Sequence, residues 1–160
     1  MIQTAVFPGT FDPITYGHQD LIRRAASMFA QVIVAVAENK NKAPLFDLDQ
    51  RVAMIHKAVG DVLNVQVMGF SNLLVDFARE HGATILVRGV RVITDFEYEL
   101  QLVNMNRSLD PKLEAVFLVP AENHSFISSS LVKEVASLGG DVSSFVNEDV
   151  RAALKGVKWR

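Results

Sequence analysis

Apolar residues follow two rhythms along this chain. Short blocks at 5–7, 32–37, 65–68, 84–87 and 115–119 are rich in Val, Ile, Leu and Phe and predict five strands. Four of them lack polar alternation, as expected of strands covered on both faces of a parallel sheet. The third, Val65-Gln66-Val67-Met68, does alternate and is expected nearer an edge. Between the strands the apolar period lengthens to about 3.6 residues. It does so at Leu21, Ile22, Ala25, Met28 and Phe29, at Val52, Ile55 and Val59, at Leu74, Phe77 and Ala78, and at Phe96, Leu100 and Val103. Asp47 and Gln50 have capping-box spacing before the second helix, and Ser71 is expected to cap the third. Gly60 and Gly82 stand where left-handed residues would end those two helices. Asp110-Pro111 stops the fourth helix. Ser128-Ser129-Ser130 opens a fifth that runs to about Leu138 and closes at Gly139-Gly140, and Asn147 caps a last short one. Strands alternating with helices predict an α/β fold, a Rossmann-like doubly wound five-stranded parallel sheet flanked by helices, in one domain over residues 1–160.

Composition narrows the function. With 49% hydrophobic residues in 160, the chain can bury a continuous core and is not of the disordered class. Sixteen basic residues against eighteen acidic ones give a net charge of −2, so no bulk positive field draws nucleic acid, and an anion site must come from local clustering. The absence of cysteine excludes disulfides, zinc–thiolate sites and thiol nucleophiles. Met1-Ile2-Gln3-Thr4 lacks the basic start of a signal peptide, and no uncharged apolar run approaches the roughly 18 residues that cross a bilayer. A cytoplasmic protein with no membrane partner is expected.

Ligands of such sheets bind beyond the carboxyl ends of the strands, so the loops there carry the candidate chemistry. Residues 8–18, Pro-Gly-Thr-Phe-Asp-Pro-Ile-Thr-Tyr-Gly-His, follow the first strand. They are neither a Gly-x-Gly-x-x-Gly fingerprint nor a Walker A loop, which counts against hydride transfer and P-loop hydrolysis. They do offer Gly9 for close approach, the Thr10 hydroxyl, and His18 at a helix start, where a ring N–H can reach a phosphoryl oxygen. Lys40 and Lys42 follow the second strand. Arg88-Gly89-Val90-Arg91 follows the fourth, with two guanidiniums able to grip phosphate in fork geometry. Ser125-Phe126-Ile127-Ser128-Ser129-Ser130 opens a helix. Capping needs one serine, so two of the last three hydroxyls are read as free for an anion. Glu99, one turn beyond Asp95, reads from helical position alone as a solvated acid. No Gly-x-Ser-x-Gly elbow and no His-Glu-x-x-His metal spacing occurs, and no metal ligand is assigned. Cations, hydroxyls and helix ends without a nucleophile–base pair suit phosphoryl or nucleotidyl transfer, where the substrates bring their own nucleophile and leaving group.

The stretch from Pro8 to His18 resembles the Thr/His-x-Gly-His motif of the nucleotidylyltransferase superfamily, and Ile127-Ser128-Ser129-Ser130 resembles its second signature. With Arg88-Gly89-Val90-Arg91, Asp95-Phe96-Glu97-Tyr98-Glu99 and Asn104-Met105-Asn106-Arg107 between them, residues 4–146 are similar to the bacterial phosphopantetheine adenylyltransferases. That resemblance implies transfer of AMP from ATP to 4′-phosphopantetheine with Mg²⁺, giving dephospho-coenzyme A and pyrophosphate. It further implies a homohexamer and feedback inhibition by coenzyme A. On it, Thr10 and Phe11 meet ATP, His18 stabilises the transition state, and Thr10, Lys42 and Arg88 hold the acceptor phosphate. Gly89, Val90, Arg91 and Glu99 lie along the ATP site. His124, Ser125, Phe126 and Ile127 complete it, and Ser128, Ser129 and Ser130 receive the β- and γ-phosphates. Leu73, Leu74, Met105 and Asn106 line the pantetheine arm. The catalytic set is Thr10, His18, Lys42, Arg88 and Arg91.

Three positions differ from relatives. Thr15 replaces a first histidine, as is usual in this branch. Lys133 stands where many relatives have Arg, and His124 where an aromatic residue is common. Two alternatives remain at this point: a related adenylyltransferase with another acceptor, such as nicotinamide mononucleotide, and a non-catalytic nucleotide-binding module.

Overall fold

The computed structural model describes residues 3–159. Strands β1 (Thr4–Gly9), β2 (Gln31–Ala37), β3 (Val65–Phe70), β4 (Ile85–Gly89) and β5 (Glu114–Leu118) form one parallel sheet in the order β3-β2-β1-β4-β5. The helices are α1 (Tyr16–Met28), α2 (Leu48–Val59), α3 (Leu74–Glu80), α4 (Ile93–Leu109), α5 (Ser129–Ser137) and α6 (Glu148–Lys155). Alternate residues of the central strands feed two separate cores, which is why those strands read as unbroken apolar runs. Ala5, Phe7, Val32, Val34 and Val36 join Ile22 and Ile55 on one face, and Val6, Ile33 and Ala35 join Val75 and Phe77 on the other. Each Val, Ile or Phe among them contributes roughly 1.5–3 kcal/mol by leaving water.

From β1 the chain steps outward to β2 and β3, then crosses back to set β4 and β5 on the far side of β1. This reversal is the place where an open α/β sheet leaves a crevice. β1 and β4 pair only through Ala5–Ile85 and Val6–Leu86, so their carboxyl-terminal halves run on without pairing to each other.

Several local expectations hold and others need correction. The Asp47–Gln50 capping box, the Asn147 cap and the alternating edge strand β3 are as expected. Gly82, with φ +64°, ends α3 in the left-handed region, but Gly60 is an ordinary right-handed residue with φ −63°. Ser71 does not cap α3, because that helix begins at Leu74 behind Leu73. β5 is not covered on both faces: it is the second edge strand, and of its five residues only Leu118 is buried. In α4 only Val103 of the periodic set is buried, while Phe96 and Leu100 stay 40% and 42% exposed. Met28 of α1 is likewise exposed.

Candidate active site

A cleft of about 280 Å³ opens between the carboxyl ends of β1 and β4 and the start of α5. Phe7, Pro8 and Leu21 supply its apolar wall. Two glycines let the elements close in on it. A Cβ on Gly89 would lie 2.5 Å from Leu21 Cδ1 of α1, and one on Gly9 would lie 2.9 Å from the Phe11 ring. Of the residues expected from sequence, Phe11, His18, Arg88, Gly89, Arg91, Glu99, His124, Ile127, Ser128 and Ser129 all face this one space.

His18 is the third residue of α1 and half of a capping box that its sequence does not advertise, since Glu or Gln is the usual partner. Its backbone N–H donates to Thr15 Oγ1 at 3.4 Å, and the Thr15 backbone N–H donates to His18 Nδ1 at 3.1 Å. A backbone amide can only donate, so Nδ1 carries no proton and the neutral ring bears its hydrogen on Nε2. Burial first, and then the positive charge of Arg91, lower the pKa from 6.5 to about 4. The Phe11 ring packs edge-on at 5.0 Å and holds the imidazole plane. His18 is therefore a neutral hydrogen-bond donor at neutral pH.

That shift has a consequence for stability. The unfolded chain takes up this proton near pH 6.5 and the folded one near pH 4, so between them the unfolded state binds more protons. The contribution is full above about pH 6.5 and is lost progressively as pH falls towards 4. His18→Gln should flatten this limb when urea-unfolding stability is measured against pH. A limb as steep as that of the parent protein would place the titrating group elsewhere.

Arg88, at the end of β4, is gripped bidentately by Glu99 of α4. Nε donates to Oε2 at 2.5 Å and an Nη donates to Oε1 at 2.6 Å, while the other Nη donates to the Pro8 carbonyl at 3.1 Å. Glu99 is only 8% exposed, so it is not the solvated acid its helical position suggested. Arg91 Nε donates to Asp95 at 3.2 Å and its Nη1 to the Ile127 carbonyl at 3.3 Å, which links β4's loop to the approach to α5. Both guanidiniums keep unused N–H groups at the cleft.

The serine run is more occupied than expected. Ser128 caps α5 by accepting from the Leu131 N–H at 3.1 Å, and Ser129 Oγ donates to the Pro13 carbonyl at 2.7 Å. Of the three hydroxyls, only that of the exposed Ser130 lacks such a bond among the described residues, and Ser130 does not line the cleft. Ser125 Oγ bonds the Glu122 carbonyl, and the exposed Phe126 packs on Phe145. His124 does face the cleft, and its buried Nδ1 has no partner among the described residues. Val90 spends its N–H on the Leu118 carbonyl.

Of the expected acceptor residues, Arg88 faces this space and the others do not. Thr10, Lys42, Leu73, Leu74, Met105 and Asn106 are not among the lining residues. Lys42 is exposed on a single 3-10 turn, Lys40–Lys42. Leu73 and Met105 are 60% and 62% exposed, whereas Leu74 packs against the core beneath α3. Sequence reading missed Thr15, Asn39, Arg51 and the pairing of Asp12 with Lys133. Asn39 Nδ2 donates to Thr10 Oγ1 at 3.0 Å, and Lys133 Nζ to Asp12 Oδ2 at 2.9 Å. The charge of Lys133 is thus directed at Asp12. Polar residues on loops and at helix surfaces give no periodic signal, and a histidine at the third helical position does not signal a capping box.

Residues 6–135 match the model of the cytidylyltransferase-like family, and the chain belongs to that family of nucleotidyltransferases. Within it, the chain is 56% identical over 151 residues to the phosphopantetheine adenylyltransferase of Methylococcus capsulatus (strain ATCC 33009 / NCIMB 11132 / Bath), covering 94% of this chain and 93% of the relative. That similarity places it among the phosphopantetheine adenylyltransferases. Solved structures agree on the fold. A putative nicotinate-nucleotide adenylyltransferase from Vibrio parahaemolyticus superposes with a TM-score of 0.72 at 17% identity, over 96% of this chain and 91% of its own. A lipopolysaccharide core biosynthesis protein from Thermoplasma volcanium GSS1 gives 0.58 at 21% identity, over 75% of this chain and 98% of its own.

Proposed function

We propose that this chain transfers the adenylyl group of ATP to the phosphate of 4′-phosphopantetheine, releasing dephospho-coenzyme A and pyrophosphate, the penultimate step of coenzyme A synthesis. One observation carries this reading: a chain 56% identical to a phosphopantetheine adenylyltransferase brings His18, Arg88, Arg91 and the start of α5 to one cleft at the sheet's reversal point. A phosphate monoester carries about −1.5 to −2 charge at pH 7, so the acceptor oxygen is its own nucleophile and needs no base. It attacks the α-phosphorus in line, the bond to pyrophosphate breaks, and no covalent enzyme intermediate forms. The Nε2–H of His18 donates to the α-phosphoryl oxygen as charge develops there. Thr10, Lys42 and Arg88 hold the acceptor phosphate. Arg91 with the backbone at Gly89 and Val90, and Phe11, Glu99 and residues 124–127, border ATP. The β- and γ-phosphates, expected at 128–130, are received by the Ser128 hydroxyl, whose own proton is unspent, and by the N–H groups opening α5, while Ser129 is tied to Pro13 and Ser130 lies outside the cleft. Leu73, Leu74, Met105 and Asn106 border the pantetheine arm, where Leu73 and Met105 offer exposed apolar surface.

Mg²⁺ is part of this reading. The carboxylates that line the cleft, Asp95 and Glu99, are each held by an arginine. The donor set therefore fits an ion carried chiefly on phosphate oxygens with Ser128 and Ser129 beside it. Bound there, it would neutralise the triphosphate's charge. Homohexamer formation fits the exposed apolar residues Ile93, Phe96, Leu100 and Leu109 on α4, and coenzyme A is the expected feedback inhibitor. Among the described residues no helix is long and apolar enough to cross a membrane, and the cytoplasm is the proposed compartment.

Pyrophosphate release from ATP and Mg²⁺ tests the reading, with 4′-phosphopantetheine and nicotinamide mononucleotide compared in parallel. Release with the first and formation of dephospho-coenzyme A is the expected result. Release with only the second would overturn the acceptor, and ATP binding without turnover would leave a binding module. Lys42→Ala should raise KM for phosphopantetheine about tenfold, the scale of one charged hydrogen bond, with KM for ATP little changed. Unchanged acceptor kinetics would remove Lys42 from the site.

A further inference from the structure

Arg51, on α2, is 1% exposed and meets no aspartate or glutamate within salt-bridge distance among the described residues. Its guanidinium is spent on carbonyl oxygens of three separate segments. Nη1 donates to Thr10 O at 2.8 Å, beyond β1, and to Ala37 O at 2.7 Å, at the end of β2. Nη2 donates to Glu38 O at 3.0 Å. Nε donates to Phe46 O at 2.9 Å and Asp47 O at 3.3 Å, just before α2. Asp12 grips the same strap from its amide side: the N–H groups of Leu45 and Phe46 donate to its two oxygens at 2.9 and 3.0 Å, and Lys133 pairs with one of them. The strap from 38 to 47, which carries Lys42, is thus pinned at both ends.

Burying an arginine costs several kcal/mol, and a leucine would fill this core without that penalty. What only the fork provides is simultaneous hold on three chain segments. Beside and between these anchor points lie, among the described residues, the three non-glycine residues with left-handed backbone: Phe11 at φ 50°, Asn39 at φ 52° and Ala43 at φ 41°. Such conformations persist only where neighbouring structure holds them. Asn39 in turn donates to the Thr10 hydroxyl.

We infer that Arg51 is a positioning residue for the acceptor side of the reaction, holding Thr10 and the strained Lys42 strap where the acceptor phosphate binds. The inference rests on the proposed adenylyl transfer, and its test separates the two. Arg51→Lys keeps the charge but reaches fewer carbonyls. In the full chain it should raise KM for 4′-phosphopantetheine about tenfold or more, with KM for ATP within about twofold, since a misplacement near 1 Å can cost up to about 10²-fold. Ala43→Val, at an exposed position with φ 41°, adds strain to the same strap and should shift the acceptor KM in the same direction. A fall in kcat alone, matching a lost folded fraction, would make Arg51 purely structural and overturn the inference. So would failure of Arg51→Lys to fold together with an unchanged acceptor KM in Ala43→Val. A parent protein that releases no pyrophosphate with phosphopantetheine would instead overturn the reaction itself.

Discussion

His18→Ala is expected to lower kcat by about 10²–10³-fold, which corresponds to roughly 2.7–4 kcal/mol of lost transition-state stabilisation. The size follows from the tautomer. With Nδ1 committed to the Thr15 N–H, the ring presents Nε2–H as a fixed neutral donor. Depression of the pKa to about 4 keeps it in that state across the neutral range. Because the interaction strengthens only as charge moves onto the α-phosphoryl oxygens, KM for each substrate should change little. The fold should survive: Thr15 retains its hydroxyl cap, and losing the reciprocal half costs about 1 kcal/mol. Steady-state kinetics beside a thermal melt checks all three statements. The parent enzyme's kcat should show no inflection near pH 6.5 attributable to His18. A variant with near-normal turnover would remove His18 from the chemistry.

The sheet was legible because one physical requirement wrote it twice. Strands feeding two cores must be apolar throughout, and helices covering them must be apolar every 3.6 residues, as Val32–Ala37 and Leu21, Ile22 and Ala25 show. β5 and α4 broke the rule for a related reason. On α4, Ile93, Phe96 and Leu100 remain on the surface, while β5, at the sheet edge, buries Leu118 and packs Val116 only partly against the core. Periodicity reports that a face avoids water and says nothing of what covers it.

In the site, residues whose chemistry announces itself were readable: His18 at a helix start, and Arg88 and Arg91 at a strand end. Residues that act through geometry were not. Arg51 sits in a helix where an arginine is ordinary, and its role depends on carbonyls from positions 10, 37, 38, 46 and 47 meeting in space. Glu99 carries a charge like any helix acid until β4 brings Arg88 against it. Counting serines failed for the same reason, because Ser129 is occupied by Pro13, 116 residues away in the chain.

The Arg88–Glu99 pair allows structural and catalytic roles to be separated. Arg88→Met leaves the Glu99 carboxylate, 8% exposed, without its cation. Removing one partner of a buried pair costs about 3–5 kcal/mol, so urea unfolding should show a loss of that order. Activity should fall at least as far as in His18→Ala, because in the proposed reaction Arg88 also holds the acceptor phosphate. Arg88→Met/Glu99→Met then distinguishes the causes. Two apolar side chains of similar volume remove the orphaned charge, and such replacements are commonly neutral or stabilising by about 1–4 kcal/mol. Stability should therefore return while kcat/KM for phosphopantetheine stays low. The Pro8 carbonyl, which accepts from Arg88 at 3.1 Å, is the remaining cost and should keep recovery short of complete. If activity returned together with stability, Arg88 would serve only to neutralise Glu99, and the acceptor phosphate would have to be held by Lys42 and Arg91. If neither returned, the pair would be needed to set β4 against α4, and its part in the chemistry would be indirect.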